Sequence, residues 1–167
     1  MLAAVSTLPH PARRIAVFRH ADLPTGTSPV GLALWHVGDP GNLGTILRTA
    51  DALGPAFVGL SSGCADPTGP RAVRASMGAI FRVPLGRFED APGRRVALVA
   101  HGGEPLDEVD LEEPVTFVLG AEREGLPESV VAACEARASI PLEPGAESLN
   151  VAVAAALALY ERRRAPR

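Results

Sequence analysis

The chain has 167 residues, 47% of them hydrophobic and 21% charged, which is typical of one globular domain with a sizeable core. All sixteen basic residues are arginines, and the absence of lysine excludes a lysine-dependent phosphate loop, a Schiff-base enzyme and a lysine general base. The net charge of −3 argues against nonspecific coating of nucleic acid, which requires many basic groups along the phosphates. Any contact with nucleic acid must therefore be local.

The two cysteines, Cys64 and Cys134, lie far apart in the sequence, and neither belongs to a CxxC pair. They indicate neither a disulfide framework nor a zinc site, and we expect no bound metal. The N-terminus lacks the charged and apolar segments of a signal peptide, and the longest apolar run is alanine-rich and bounded by Asn150 and Tyr160. The sequence therefore favours a cytoplasmic protein without a membrane span.

Residues 1–28 differ from the rest of the chain. They are interrupted by Pro9, Pro11 and Pro24 and contain only one short apolar stretch. We interpret them as an arm, or as the remnant of a substrate-binding extension, and assign them no function. Residues 29–167 then form the domain proper, in which β-rich runs alternate with helical periodicity.

The predicted elements of this domain follow each other in a regular order. Strands are expected at 32–37, 56–60, 96–100, 115–119 and 138–140, and helices at 43–53, 71–77, 127–136 and 149–163. Such alternation predicts an α/β fold in which a mostly parallel sheet is flanked by helices on both faces.

The first and last helices have different apolar patterns. The first has a single apolar stripe, which is typical of a helix that packs on one side of a sheet. The last, at 149–163, is apolar on two faces, one running from Leu149 to Tyr160 and the other from Val151 to Leu159. A helix of this kind must be buried on both sides. We predict that its second side packs against another copy of the chain, as a homodimer.

Three segments carry candidate functional residues. The first segment is NLGTILRTADALG. Its Asn42 could equally be a helix cap or a catalytic group, and its Arg48 could equally be a solvated surface arginine or a functional one. The second, FVLGAEREGLP, is a strand followed by a glycine-bounded loop with Glu122, whose alternative interpretation is a tight turn with solvated carboxylates. In the third, IPLEPGAESLNV, Ser148 would cap the last helix, and capping is its alternative interpretation.

In their order, their spacing and their residues, these segments resemble the three signature motifs of the SpoU (TrmH-like) branch of the SPOUT methyltransferases. A further stretch, RASMGAIFRVP, resembles the segment of this family between the first and second motifs. The resemblance covers about 31–161. There are two departures: Pro144 stands where the family often has glycine and can alter the shape of the donor loop, and Ala152 stands where a serine is common.

The resemblance implies a sheet whose C-terminal chain is threaded through a loop as a deep trefoil knot, an exception to the general absence of knots. It implies S-adenosylmethionine (SAM) as the methyl donor, held largely by backbone groups, with no metal, and a ribose 2'-hydroxyl of tRNA or rRNA as the acceptor. The positions that match donor-binding residues of the family are Ala100, His101, Gly102, Leu119, Gly120, Ala121, Glu122, Ile140, Leu142, Leu149 and Asn150.

The same resemblance implies catalytic roles. Arg48 stands at the essential arginine of the family, where it would position a phosphate of the nucleotide or stabilise the developing alkoxide. A general-base role is more demanding, because a guanidinium holds its proton tightly. Glu122 would orient Arg48 through a charge-assisted hydrogen bond. The ribose, the nearby phosphate and the loop geometry would be held by Asn42, Ser148 and Asn150.

RNA is expected to contact Arg48, Arg71 and Arg74, and the family resemblance places the active site near the dimer interface. A non-catalytic RNA-binding module of the same fold is the first alternative; the joint presence of Arg48, Glu122 and Asn150 argues against it. An RNA base methyltransferase of the same fold is another alternative. A nucleotide-dependent oxidoreductase or phosphotransferase is disfavoured, because the glycines have the wrong spacing for GxGxxG and the phosphate-loop lysine is missing.

Overall fold

The computed structural model describes residues 16–165 and has one seven-stranded sheet at its centre. The strands lie in the order β3-β2-β1-β6-β4-β7-β5, and every pair of neighbours is parallel, which confirms the predicted sheet. Their bounds are β1 Val30–Leu34, β2 Phe57–Leu60, β3 Leu85–Arg87, β4 Arg94–Leu98, β5 Glu104–Pro105, β6 Val115–Leu119 and β7 Ala136–Ser139.

Within the described residues, three α-helices lie between strands and a fourth follows the last strand. They are α1 Pro40–Leu53, α2 Pro70–Ala75, α3 Glu128–Val131 and α4 Val151–Arg164, and short 3₁₀ turns occupy His20–Asp22, Ala79–Phe81 and Phe88–Asp90. Within residues 16–165, no helix is long and apolar enough to cross a membrane. The first fifteen residues of the predicted arm lie outside the described residues.

The core has two layers, one on each face of the sheet. Side chains alternate between them: Leu32 and Phe117 belong to the larger layer with α1 and α4, whereas Ala33 and Val118 belong to the smaller layer with Phe88. The helix α1 packs with the apolar stripe that its sequence predicts, and its buried residues are Leu43, Gly44, Ile46, Leu47 and Ala50. The helices therefore hold the sheet from both sides.

The helix α2 presses tightly against α1. A Cβ atom on Gly44 would lie 2.5 Å from the Ala72 carbonyl oxygen and 2.5 Å from the Ala75 Cβ, so only glycine fits this contact. The C-terminal half of α2 is thereby held beside Gly44 of α1. Because α1 follows β1 directly, this contact fixes the position of α2 relative to the carboxyl edge of the sheet.

Two parts of the predicted element order are wrong. The strands β3 and β5 were not predicted, since each has only two or three residues and too short a pattern to recognise. The helix predicted at 127–136 ends at Val131, and its last predicted residue already begins β7. The end of this segment pairs with the sheet instead of continuing the helix. The Glu135 backbone N–H donates to the Arg95 carbonyl, and the Arg95 backbone N–H donates to the Glu135 carboxylate.

The two apolar faces of α4 have different surroundings. The face with Val151, Ala155 and Leu159 is buried against the sheet and α1, as predicted. On the other face, Val153 is 48% and Tyr160 49% exposed. The second face is therefore open in the single chain, and the predicted homodimer stays a prediction.

Candidate active site

A cavity of about 390 Å³ opens at the carboxyl edge of the sheet. Its walls come from the chain after β4, the loop after β6 and the segment that leads from β7 into α4. Parallel strands place their carboxyl ends at one edge, so three distant parts of the sequence meet here. The volume is within the ordinary range of small-molecule sites.

Most of the predicted donor-binding residues line this cavity. The structure brings together eight of them: Ala100, Leu119, Gly120, Ala121, Glu122, Ile140, Leu142 and Leu149. His101 and Gly102 do not line it, and Asn150 lies beside it, between the lining residues Leu149 and Val151. The place of these three residues in donor binding stays a prediction.

The loop after β6 owes its shape to two glycines. A Cβ on Gly120 would lie 2.2 Å from the carbonyl carbon of Gly125, a distance that no side chain tolerates. Gly125 has a φ of +65°, in the left-handed region that favours glycine. Ala121 and Gly125 form an isolated antiparallel bridge. The loop is therefore a closed turn, and its backbone forms one wall of the cavity.

The charges and apolar surfaces of the cavity fit SAM. Three carboxylates, those of Glu122, Glu124 and Glu147, line it together with a single arginine, Arg123. An excess of carboxylates suits the sulfonium and ammonium groups of the donor, and the arginine suits its carboxylate. Apolar side chains that could cover an adenine ring are those of Leu119, Ile140, Leu142 and Leu149.

Hydrogen bonds join the three motifs at the rim of the cavity. The Asn42 Nδ2 donates to the Glu122 Oε1 at 2.8 Å, and the Asn150 Nδ2 donates to the Asn42 Oδ1 at 3.0 Å. These bonds connect residues that are 80 and 108 positions apart in the sequence. Asn42 thus uses both ends of its amide to hold α1 against the other two motifs.

The cap of α4 differs from the prediction. Asn150, and not Ser148, is the N-cap: its Oδ1 accepts from the backbone N–H groups of Ala152 at 2.9 Å and Val153 at 3.4 Å. Ser148 lies two residues earlier, is exposed and lines the cavity. The prediction that Ser148 caps the helix is therefore wrong, because the helix begins two residues later than expected.

Arg48 lies apart from this network. It is six residues beyond Asn42 on α1, roughly 9 Å further along the helix axis, and its side chain is exposed. The predicted hydrogen bond between Glu122 and Arg48 is not formed, since Glu122 pairs with Asn42 instead. Within residues 16–165, Arg48 makes no hydrogen bond or ion pair. The side chain is free to meet something outside the single chain.

The other predicted RNA contacts, Arg71 and Arg74, lie on α2 with exposed side chains. Arg71 forms an ion pair with Asp39, the N-cap of α1, at 3.2 Å. Farther along, Arg82 binds Asp51 of α1 through two nitrogens and holds the pKa of that carboxyl below its ordinary value. The arginines around α1 therefore lie beside the rim and not in the cavity.

Sequence reasoning missed several lining residues. Arg123, Glu124 and Gly125 belong to the second motif, and their position in a glycine-bounded loop was the available signal. Glu147 lies in the third motif next to Ser148, with no pattern that marks it. In the part of the chain that the structure describes, no group of three or more histidine, cysteine or carboxylate side chains is arranged to hold a metal ion.

The family follows from comparison of the whole sequence. Residues 29–160 match the model of the SpoU rRNA Methylase family. The chain belongs to this family. The 23S rRNA (guanosine(2553)-2'-O)-methyltransferase of Bacillus subtilis is 33% identical over 171 residues, which cover 96% of this chain and 68% of that protein.

Solved structures show the same relationship for the fold. A Porphyromonas gingivalis protein assigned to the TrmH family of RNA methyltransferases has a TM-score of 0.86 and 36% identity, covering 98% of this chain and 71% of its own. An rRNA methyltransferase from Sinorhizobium meliloti, solved with AdoMet (SAM) bound, has a TM-score of 0.76 and 37% identity. The match covers 86% of this chain and 59% of the Sinorhizobium meliloti chain. The chain spans 53% to 59% of the length of other curated SpoU relatives.

Proposed function

We propose that this SpoU chain transfers a methyl group from SAM to a ribose 2'-hydroxyl of tRNA or rRNA. The bond from sulfur to the methyl carbon breaks as the bond from oxygen to that carbon forms, so that S-adenosylhomocysteine leaves and the hydroxyl proton is released to water. The observation that carries the proposal is the bonded series Glu122–Asn42–Asn150, which joins three motifs at the rim of a cavity that fits the donor. The Bacillus subtilis relative is named a ribose 2'-O-methyltransferase, and the Sinorhizobium meliloti structure contains AdoMet, which supports both halves of the proposal.

The chain binds and orients the donor through the loops that line the cavity. Leu119 and Ile140 provide apolar walls, and the closed turn at 120–125 presents backbone groups to the cavity. The acidic lining, with Glu122 and Glu147, attracts the positive end of the ligand. Bound SAM supplies a methyl group that its sulfonium already activates, so the protein needs to provide alignment more than chemical activation.

Arg48 acts on the RNA substrate and not on the donor. A ribose hydroxyl is a weak acid, so its attack on the methyl group requires stabilisation of the developing alkoxide or a nearby proton acceptor. A guanidinium that holds a neighbouring phosphate or the oxygen itself performs the first task. Asn42 and Ser148, both at the rim, would hold the ribose and its phosphate. His101 has no catalytic role in this scheme, and its part in donor binding stays a prediction.

We also propose the assembly in which this chemistry takes place. A second copy would cover the open face of α4, where Val153 and Tyr160 are exposed, and would bring Arg48 to a complete site. The segment from Ile140 to Asn150 would form the predicted trefoil knot with the loop after β6, since both line the same cavity. Residues 29–167 would be the catalytic domain, preceded by the arm at 1–28.

Transfer of labelled methyl groups tests the proposal. Purified protein is incubated with methyl-labelled SAM and unmodified RNA, which is then separated by size into tRNA and rRNA. The proposal predicts label in one of these fractions. Calorimetry of SAM binding is measured on the same preparation, so donor binding without transfer would support the non-catalytic RNA-binding module, and failure to bind SAM at all would refute the proposed function.

A further inference from the structure

Beyond the donor cavity, the surface beside α1 combines arginines with exposed apolar side chains. We name it the basic-aromatic strip and define it by Arg48, Arg71, Arg74, Met77, Phe81 and Arg82. Met77 is 70% exposed and Phe81 44% exposed. Large apolar side chains at such positions lose the stabilisation of burial, so their exposure indicates a surface that a ligand covers.

The strip begins at the rim of the cavity. Arg71 is paired with Asp39 at 3.2 Å, and the Asp39 Oδ1 accepts from the Asn42 backbone N–H at 2.9 Å. Asn42 in turn contacts Glu122 of the cavity wall. A ligand whose reactive group lies at Asn42 can therefore continue onto α2 without leaving the surface.

The far end of the strip is tied to α1 as well. Arg82 donates to Asp51 at 2.6 Å and 3.0 Å, and Asp51 lies one helical turn after Arg48, on the same side of α1. The turn between α2 and Arg82 is anchored in the protein interior, since Ser76 and Ile80 are fully buried. This anchoring fixes the arrangement of the strip in advance, which lowers the entropic cost of binding.

The turn presents its apolar side chains outward. Met77 and Gly78 have φ values of +50° and +85°, so the chain reverses direction at this point. The Ser76 Oγ donates to the Val73 carbonyl at 2.8 Å and secures the turn to α2. Phe81 is steadied by an edge-to-face contact with Phe18, with ring centroids 5.0 Å apart.

We propose that the basic-aromatic strip binds the single-stranded RNA segment next to the methylated nucleotide, with arginines on phosphates and Phe81 and Met77 packed on bases. This inference rests on the proposed function and names where its substrate lies. Asp39 and Asp51 each pair with one arginine of the strip, Arg71 and Arg82. Arg48 has no carboxylate partner within residues 16–165, so the strip has an excess of positive charge on a chain with a net charge of −3. Alternating positive and apolar groups match a strand of phosphates and bases.

A second copy of the chain is a poorer occupant for this surface. In a two-fold symmetric contact centred on this strip, the strip would face itself, and the arginines of one copy would meet those of the other. Like charges brought together in an interface are unfavourable. A partner with its own negative charges avoids that cost, and RNA provides one at every nucleotide.

Fluorescence anisotropy with a short, mixed-sequence, single-stranded RNA oligonucleotide tests the strip without requiring methyl transfer. The variant Phe81→Leu keeps an apolar side chain against Phe18 but removes the aromatic face, and Phe81→Tyr keeps that face. We expect Phe81→Leu to bind roughly tenfold more weakly and Phe81→Tyr about as well as the wild type. Arg74→Ala should reduce the slope of log K against log salt by about 0.7.

Thermal unfolding, SAM calorimetry and sedimentation of the same variants serve as controls and should not change. An affinity of Phe81→Leu equal to that of the wild type, or no oligonucleotide binding by the wild type, would overturn the inference. A change in sedimentation would show instead that the strip joins two copies. RNA binding through the strip without methyl transfer would refute only the proposed function, and transfer with unchanged affinities would refute only the strip.

Discussion

The first and third turns of α1 differ in how completely the single chain organises the polar side chains on them. At the first turn, Asn42 is held by side-chain hydrogen bonds of 2.8 Å and 3.0 Å to Glu122 and Asn150. Less than two turns later, Arg48 is exposed and has no polar partner within residues 16–165. Under the proposed function, one chain builds the donor side by itself, whereas RNA, a second chain or both would complete the substrate side.

The largest effect is expected on the organised side. In Gly120→Ala the new Cβ would collide with the backbone of Gly125, so the closed turn cannot form. We expect calorimetry to show no SAM binding at concentrations that saturate the wild type. The matched control is Gly38→Ala, whose Cβ meets no atom closer than 3.9 Å. Normal binding by the Gly120 variant would mean that the donor does not use this wall.

Removing Arg48 should affect the other side alone. In Arg48→Ala we expect kcat for methyl transfer to fall by about 10²–10³, the usual effect of removing a group that stabilises developing negative charge. SAM affinity should stay at the wild-type value, because Arg48 does not line the cavity. Arg87→Ala, which removes an exposed arginine paired with Asp90, is the control. A large loss of SAM affinity would contradict the division between the two sides.

Asn150 offers a way to separate capping from positioning. Asn150→Asp keeps an oxygen for the N-terminus of α4 but loses the amide that donates to Asn42. Transfer should fall by about tenfold from the lost hydrogen bond, with little change in the free energy of unfolding by urea. Asn150→Ala should in addition lower that free energy by about 1 kcal/mol. Equal stability losses in both variants would show that the Asn42 contact supports the fold more than the reaction.

The smallest effect lies at the opposite edge of the sheet. Arg162 is 8% exposed, and its Nη2 binds the Glu113 Oε1 at 2.7 Å. We expect Glu113→Gln to lower the free energy of unfolding by only about 1 kcal/mol, since Glu113 is partly exposed and keeps a hydrogen-bonding group. SAM and RNA affinities should be unchanged. An effect on either affinity would show that the two edges are coupled.

The sequence predicted the features that depend on local pattern. Alternating strands and helices predicted the parallel sheet, and the apolar stripe of α1 predicted its buried face. Both signals are contained in a few consecutive residues. The eight predicted residues that line the cavity came instead from the resemblance of the motifs to the SpoU family. The strands β3 and β5 were not predicted because they are too short to show a pattern, although they complete the sheet.

Features that depend on contacts between distant residues were not predictable. The N-cap of α4 is Asn150 and not the predicted Ser148. Glu122 pairs with Asn42 and not with the predicted Arg48. Both differences follow from the way in which α1, β6 and α4 meet. The role of Gly44 is similar, since its lack of a side chain matters only where α2 packs on α1. The surface formed by Met77 and Phe81 also appears only after the turn has been placed in space.

The position of the transferred methyl group tests the central claim most directly. RNA labelled by the wild-type protein is hydrolysed with alkali, which requires a free 2'-hydroxyl at each bond that it cleaves. Ribose 2'-O-methylation predicts that the label remains in alkali-resistant dinucleotides. Label found in single nucleotides would contradict the account, because it would place the methyl group on a base.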